Sequence, residues 1–175
     1  MPKVDLEIAS PRHEGALQSL FQLYTHDFSE QWAGMPRGEL DDQGRFPPYP
    51  LASYWQDEGH IPLLLRADGH PAGFALINRS SHAGRPVERN MAEFFIVRKH
   101  RRGGVGTAAA HAIFDRYPGT WEAAVARKNV AALAFWRRAV ASHPLVADLE
   151  EIDISTSAWN GPVLCYRIGD AASPR

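Results

Sequence analysis

Seventeen residues near the middle of the chain, Met91 to Thr107, read MAEFFIVRKHRRGGVGT and restrict the fold more than any other stretch. Met91 to Val97 is a short apolar run that ends in a basic cluster, Arg98-Lys99-His100-Arg101-Arg102. Gly103-Gly104-Val105-Gly106 follows, and Val105, Ala108, Ala109, Ala112 and Ile113 then recur at the spacing of a helix with one apolar face. The order is strand, glycine loop, helix. The first N–H groups of such a helix have no intrahelical acceptor, and the helix dipole adds partial positive charge there. Glycines let a large anion approach that backbone, and the arginines supply forked donors. The stretch reads as a phosphate cradle.

Three kinds of loop share this outline. A Walker loop requires Gly-Lys-Ser/Thr, whereas Gly106 runs directly into Thr107. Gly104-Val105-Gly106-Thr107-Ala108-Ala109 fits the dinucleotide pattern G-x-G-x-x-G/A, which keeps an NAD(P)-binding oxidoreductase as an alternative. Its context is poor, because the loop lies past mid-chain and too few residues follow for the usual βα units. The acid expected about 20 residues on has only Glu122 as a candidate.

The third kind fits better. Arg101-x-x-Gly104-x-Gly106 after an apolar strand resembles the R/Q-x-x-G-x-G/A signature of the GNAT superfamily of acyl-CoA-dependent N-acetyltransferases. Asn129-Val130-Ala131-Ala132-Leu133-Ala134-Phe135-Trp136 resembles that family's Asn-x-x-Ala-x-x-aromatic-aromatic segment, which opens the next helix beside the cofactor. The resemblance runs from Val4 to Ile168. It implies acetyl-CoA as cofactor, with its pyrophosphate on the loop formed by Arg98, Arg101, Arg102, Gly103, Gly104, Val105, Gly106 and Thr107. It further implies that Ile96 and Val97 flank the pantetheine arm, Ile96 pairing with it like an added strand, and that Asn129 and Trp136 border it.

Composition sets the outer bounds. At 175 residues one domain spanning 1–175 is expected, with its core in 4–168. A formal net charge of -1 lacks the basic balance of a nucleic-acid binder, so the basic cluster is a local site. One cysteine, Cys165, excludes an intrachain disulfide, and the eight histidines show no metal-ligand spacing, so no metal is expected. No run is long and apolar enough for a membrane span and no signal-peptide core opens the chain, so a cytoplasmic protein is expected. A homodimer is compatible with the sequence.

Taken in order, Val4, Leu6 and Ile8 alternate as a strand, and a helix is expected from Pro11 to Phe28 on the stripe Leu17, Leu20, Phe21, Tyr24, Phe28. From 27 to 50 glycines and prolines break the pattern, so a long loop is expected. That loop carries Asp27, Glu30, Glu39, Asp41 and Asp42, with Trp32, Phe46, Tyr49, Tyr54 and Trp55 in or near it. In the family this segment belongs to the acceptor site, and an acidic wall would suit a cationic amine. Strands at Ile61–Arg66 and Gly73–Asn78 turn through Asp68-Gly69. Met91–Val97 is a strand, Gly104–Tyr117 the cofactor helix, Trp121–Ala126 a strand and Asn129–Ala141 a helix capped by Asn129. A closing hairpin, Leu149–Ile154 and Val163–Ile168, is expected to turn at Asn160-Gly161. The class is α/β in the α+β sense, a GNAT-like mixed and mostly antiparallel sheet flanked by helices.

The resemblance also implies a chemistry, namely direct attack of an amine on the acetyl thioester in a ternary complex. A lysine-like amine with pKa about 10.4 is protonated at pH 7, and its neutral form costs about 4–5 kcal/mol. A base or a water chain must offset that cost. Counting back from Arg101 places the family's carbonyl-polarising N–H at Phe94. The family's usual early-strand acid or histidine falls on Asn90 or Ala92, neither of which is a base. Glu93 is the nearest acid, although a regular strand would turn it to the opposite face, and a β-bulge would be needed to re-aim it. The family's leaving-group tyrosine is replaced by Trp136, leaving Tyr24, Tyr54 or water. The acceptor is expected to be a small amine or an amino terminus.

Overall fold

The computed structural model describes residues 1–170. The alternating N-terminal run forms β1 (Val4–Ile8) and pairs antiparallel with β2 (Ile61–Ala67), which turns into β3 (His70–Asn78). That turn has positive φ at both Asp68 (49°) and Gly69 (79°), as a two-residue hairpin with native twist requires. β4 (Arg89–Ile96), β5 (Gly119–Ala124), β6 (Val146–Ser155) and β7 (Asn160–Ile168) complete one seven-stranded sheet in the order β1-β2-β3-β4-β5-β7-β6. Every neighbouring pair is antiparallel except β4 and β5. The glycine loop and helix α3 (Val105–Arg116) make the crossover between these two parallel strands.

The strands sort their side chains by the period of two. Leu63, Leu65, Ala75, Ile77 and Ile96 face α3 and α4 (Val130–Ala141), where Val105, Ile113 and Val140 meet them. Leu64, Phe74, Leu76 and Phe95 face α1 (Glu14–Phe28) and the short α2 (Ala52–Gln56), which contribute Leu17, Phe21 and Tyr54. Two cores, one on each face, follow from this alternation. Pro11–His13 forms a 3₁₀ turn ahead of α1.

The segment from 27 to 50 is a loop with only two short 3₁₀ turns, Ser29–Trp32 and Pro36–Gly38, as expected, whereas α2, just beyond it, has no periodic pattern long enough to announce it. One expectation changes. The closing hairpin does not turn at Asn160-Gly161, because those residues already lie in β7 and the turn is residues 156–159. Gly161 is required for another reason: a Cβ there would meet the Val125 carbonyl at 2.1 Å, with φ at 153°. Glycine lets β7 pass close to the end of β5.

Candidate active site

β4 positions the site through two departures from a regular strand. The first is a bulge. Leu76 faces Glu93 but Ile77 faces Met91, so Ala92 has no partner on β3. One extra residue inverts the facing of all that follows. Met91 packs in the α3 and α4 core, and Glu93 is turned to the α1 face, where Asn90 also lies opposite Asn78.

The second departure is a wedge between β4 and β5. These strands pair only at Arg89 with Trp121 and Asn90 with Glu122, and then separate. Val97 N–H donates to the Ala72 carbonyl at 2.9 Å, which fixes the phase of the β3 ladder. Counting back by twos, Phe95 and Glu93 direct their backbone groups to β3, so Phe94 and Ile96 direct theirs into the wedge. The Ile96 carbonyl already accepts from Arg101 Nε at 2.6 Å.

A cleft of 570 Å³ runs along this wedge and is lined from both faces of the sheet, by Tyr24 and Phe28 of α1 and by Ala132 and Trp136 of α4. Ala92, Glu93, Phe94, Asn129 and Trp136 all line it. Tyr24 O–H donates to Glu93 Oε2 at 2.6 Å. Burial raises the Glu93 pKa, and the bonds from Tyr24 and Tyr49 pull against that rise without cancelling it. Burial, with the nearby Glu93 charge, holds the Tyr24 phenol well above its ordinary value. Tyr24 is therefore a donor to Glu93, and its proton is committed. Tyr54 lies outside the cleft lining, its phenol pushed up to about 12, chiefly by burial.

Beside Glu93, Asn78 Oδ1 accepts from the Ser80 N–H and from Asn90 Nδ2, both at 3.0 Å. The Ser80 bond fixes Asn78 as the acceptor, so Asn90 must present its Oδ1 elsewhere. That oxygen is buried without a partner, which is uncommon for a buried polar atom. Across the cleft mouth, buried Glu122 accepts from Ser81 Oγ at 2.7 Å and from the His82 N–H at 2.5 Å. Burial would raise its pKa, but these bonds hold it below the usual carboxylate range. Glu122 ties down the connection before β4 and is not a ribose-binding acid.

The glycine loop has the geometry of a helix N-terminus built for close approach. Gly104 caps α3 with φ at 82°, and Arg102 before it is also left-handed at 63°. No side chain caps the helix, so the amides of Val105, Gly106 and Thr107 open outward. Gly106 sits under Phe135, whose ring a Cβ there would meet at 3.2 Å, a tight contact. The arginines divide. Arg98 donates to Asp27 Oδ1 from Nε at 3.1 Å and Nη2 at 2.9 Å, and Arg101 pairs with Asp27 Oδ2. Among the described residues Arg102 has no ion-pair partner, so it is the loop arginine with a free charge.

Asn129 caps α4 by accepting from the Ala132 N–H at 3.1 Å. Trp136 is buried and stands edge-to-face with Phe94, ring centroids 5.0 Å apart. The acidic wall expected from the 27 to 50 loop is absent from the cleft. Asp27 is consumed by Arg98 and Arg101, Asp41 accepts from the N–H groups of Gln43 and Arg45, and Glu30, Glu39 and Asp42 are outside the lining. The loop contributes instead one cation, Arg37, together with Trp32 and Tyr49. Among the described residues no cluster of acids, histidines and cysteine could hold a metal, and no helix is long and apolar enough to cross a membrane.

A glycine loop at a helix N-terminus, between two parallel strands that splay apart, is the frame of this site. The model of the acetyltransferase (GNAT) family matches residues 17–140. The chain belongs to the GNAT acetyltransferase family. It is therefore an acyltransferase, and the acyl donor of this family is acetyl-CoA. No curated protein matches the chain in sequence. Among solved structures it is similar to an acetyltransferase from Thermus thermophilus, at TM-score 0.63 and 15% identity, covering 95% of this chain and 97% of that one. An aminoglycoside acetyltransferase in complex with coenzyme A gives TM-score 0.61 and 16% identity, over 94% and 93% of the two chains. The ribosomal-protein-S18-alanine N-acetyltransferase from Escherichia coli gives 0.52 and 16%, over 97% of each. At these identities the likeness is one of fold.

Proposed function

We propose that this GNAT enzyme is an N-acetyltransferase that moves an acetyl group from acetyl-CoA to a primary amine, on a small molecule or an amino terminus, by direct attack in a ternary complex. The observation that carries the proposal is that Glu93 and the outward-facing backbone of Phe94 line one cleft whose walls come from both faces of the sheet. An amine can enter from the α1 face while the acyl donor enters from the α3 face. The sole cysteine, Cys165, lies outside that lining, and burial raises its pKa away from the thiolate. A covalent acetyl-cysteine route thus has no support.

The residues fit the cofactor. The amides of Gly103 to Thr107 and the free charge of Arg102 would hold its pyrophosphate, with Val97, Arg98 and Arg101 shaping the loop. Phe94 and Ile96 would pair with the pantetheine arm, and Asn129 and Trp136 would border it. When bound, acetyl-CoA supplies an activated acyl thioester. Phe94 N–H, which faces the wedge, would donate to that carbonyl as an oxyanion-type donor. Glu93 accepts the amine's proton, and its raised pKa brings it nearer the working pH, where general bases are most effective. The new amide bond forms as the C–S bond breaks, and the departing thiolate takes its proton from water, since Tyr24 is committed to Glu93 and Tyr54 is outside the cleft lining.

The test is incubation with acetyl-CoA and a panel of primary amines and short peptides, reading N-acetylated product against thiol released. Equal amounts of both are expected. Ligand-induced stabilisation of a few degrees with acetyl-CoA, but no product from any acceptor, would instead assign a non-catalytic acyl-CoA-binding module.

A further inference from the structure

The charge pattern of the cleft is unusual for an enzyme that takes a polycationic acceptor. Its lining carries one carboxylate, Glu93, and one permanently charged cation, Arg37. We propose that the acceptor is a dipolar amine, carrying a carboxylate as well as the amino group, and that Arg37 recognises that carboxylate. This rests on the acetyl-transfer reading above and names the substrate class it would serve.

Arg37 is held in place by its surroundings. It sits in the 3₁₀ turn Pro36–Gly38, and its guanidinium lies 4.0 Å above the Trp32 ring. The turn is pressed against the same residue: Met35 N–H donates to the Trp32 carbonyl at 2.8 Å, and a Cβ on Gly38 would meet that carbonyl oxygen at 2.8 Å. Stacking on indole orients the planar fork and leaves its donors on the edge. Among the described residues no carboxylate lies within ion-pair distance of it. A pre-placed guanidinium without a partner, in a cleft with aromatic walls, is built for an oxyanion.

The same lining carries two acceptors, Glu93 and the buried, unpartnered Asn90 Oδ1. Arg37 is near enough to favour the Glu93 carboxylate by its charge. The two acceptors suit an amino group, and the neighbouring guanidinium suits a carboxylate on the same small molecule. A polyamine would bring a second ammonium toward Arg37, and that repulsion selects against it. Phe28, Trp32, Tyr49 and Trp159 line the space around these groups, so an amino acid with an aromatic side chain is the natural probe.

The experiment compares L-phenylalanine with phenethylamine, which lacks only the carboxylate, in wild type, Arg37→Gln and Arg37→Glu. Wild type is expected to favour the amino acid in kcat/KM on the order of tenfold or more, the size of one charge-assisted contact. Arg37→Gln should remove that preference through the acceptor KM, and Arg37→Glu should reverse it, both with an unchanged KM for acetyl-CoA. Calorimetric titration of L-phenylalanine into the enzyme with coenzyme A reads the same contact without turnover. Preference of wild type for phenethylamine or for spermidine, or a preference for phenylalanine that survives Arg37→Gln, would overturn the inference and leave the acetyl-transfer reading standing. Arg37-dependent binding of L-phenylalanine with no acetylation of any amine would do the opposite.

Discussion

Replacing Glu93 by glutamine is expected to lower kcat by about 10²–10⁴, the usual range for a positioned general base, with acetyl-CoA affinity retained. The side chain keeps its shape and its bond from Tyr24, so the loss reports the proton-accepting function. The pH profile is the sharper readout. Burial raises the Glu93 pKa, so the acid limb of kcat/KM should fall above the ordinary carboxylate range, and it should vanish in Glu93→Gln. Tyr24→Phe removes a bond that stabilises the carboxylate, so that limb should move to higher pH. Stability follows the same sign. Because the folded pKa is raised, the native state holds its proton more tightly than the unfolded chain, and stability falls as pH rises from the unfolded value through the folded one. Glu93→Gln should lack that decline and melt at least as high as wild type at pH 8, which is a trade of stability for activity. A melting profile that declines with pH identically in both proteins would separate Glu93 from this account.

The second large effect is expected at Phe94, where backbone and side chain can be separated. Phe94→Ala deletes the ring that meets Trp136 and Phe135 but keeps the N–H. Phe94→Pro also deletes the N–H. That N–H faces the wedge and makes no bond to β3, so proline removes no ladder hydrogen bond there. The proline variant should turn over about 10²–10³-fold more slowly than the alanine variant, as for loss of one oxyanion donor. Thermal unfolding of both checks that the fold survives. Equal kcat in two folded variants would remove the Phe94 N–H from the mechanism.

How much of this was readable from residues alone differs from element to element. Helices and strands with a clear period, such as the α1 stripe and the β1 alternation, were legible because burial of one face imposes that period. The glycine loop was legible because its local chemistry needs no distant partner. What escaped were pairings between segments far apart in sequence. Arg98 and Arg101 read as free phosphate ligands, yet Asp27, on α1, takes both. The same ion pairs removed Asp27 from the supposed acidic wall. Neither the insertion of β7 between β5 and β6 nor the tether from Glu122 to Ser81 leaves a local trace. The bulge at Ala92 is subtler still. One unpaired residue decides whether Glu93 and Asn90 share the α1 face, and nothing in MAEFF marks it. Arg37 and Arg45 are both basic residues among the loop's acids, and nothing in the sequence separates them; only the packing of Arg37 on Trp32 does.

The central claim, direct transfer between two substrates held together in one cleft, is tested most directly by initial rates with acetyl-CoA and an amine acceptor varied against each other. Lines that intersect in the double-reciprocal plot are predicted, with no acetylated protein detectable by mass spectrometry after exposure to acetyl-CoA alone. Parallel lines together with an acetylated residue on the chain would contradict the account, because they would mean that the acetyl group rests on the enzyme before the amine arrives.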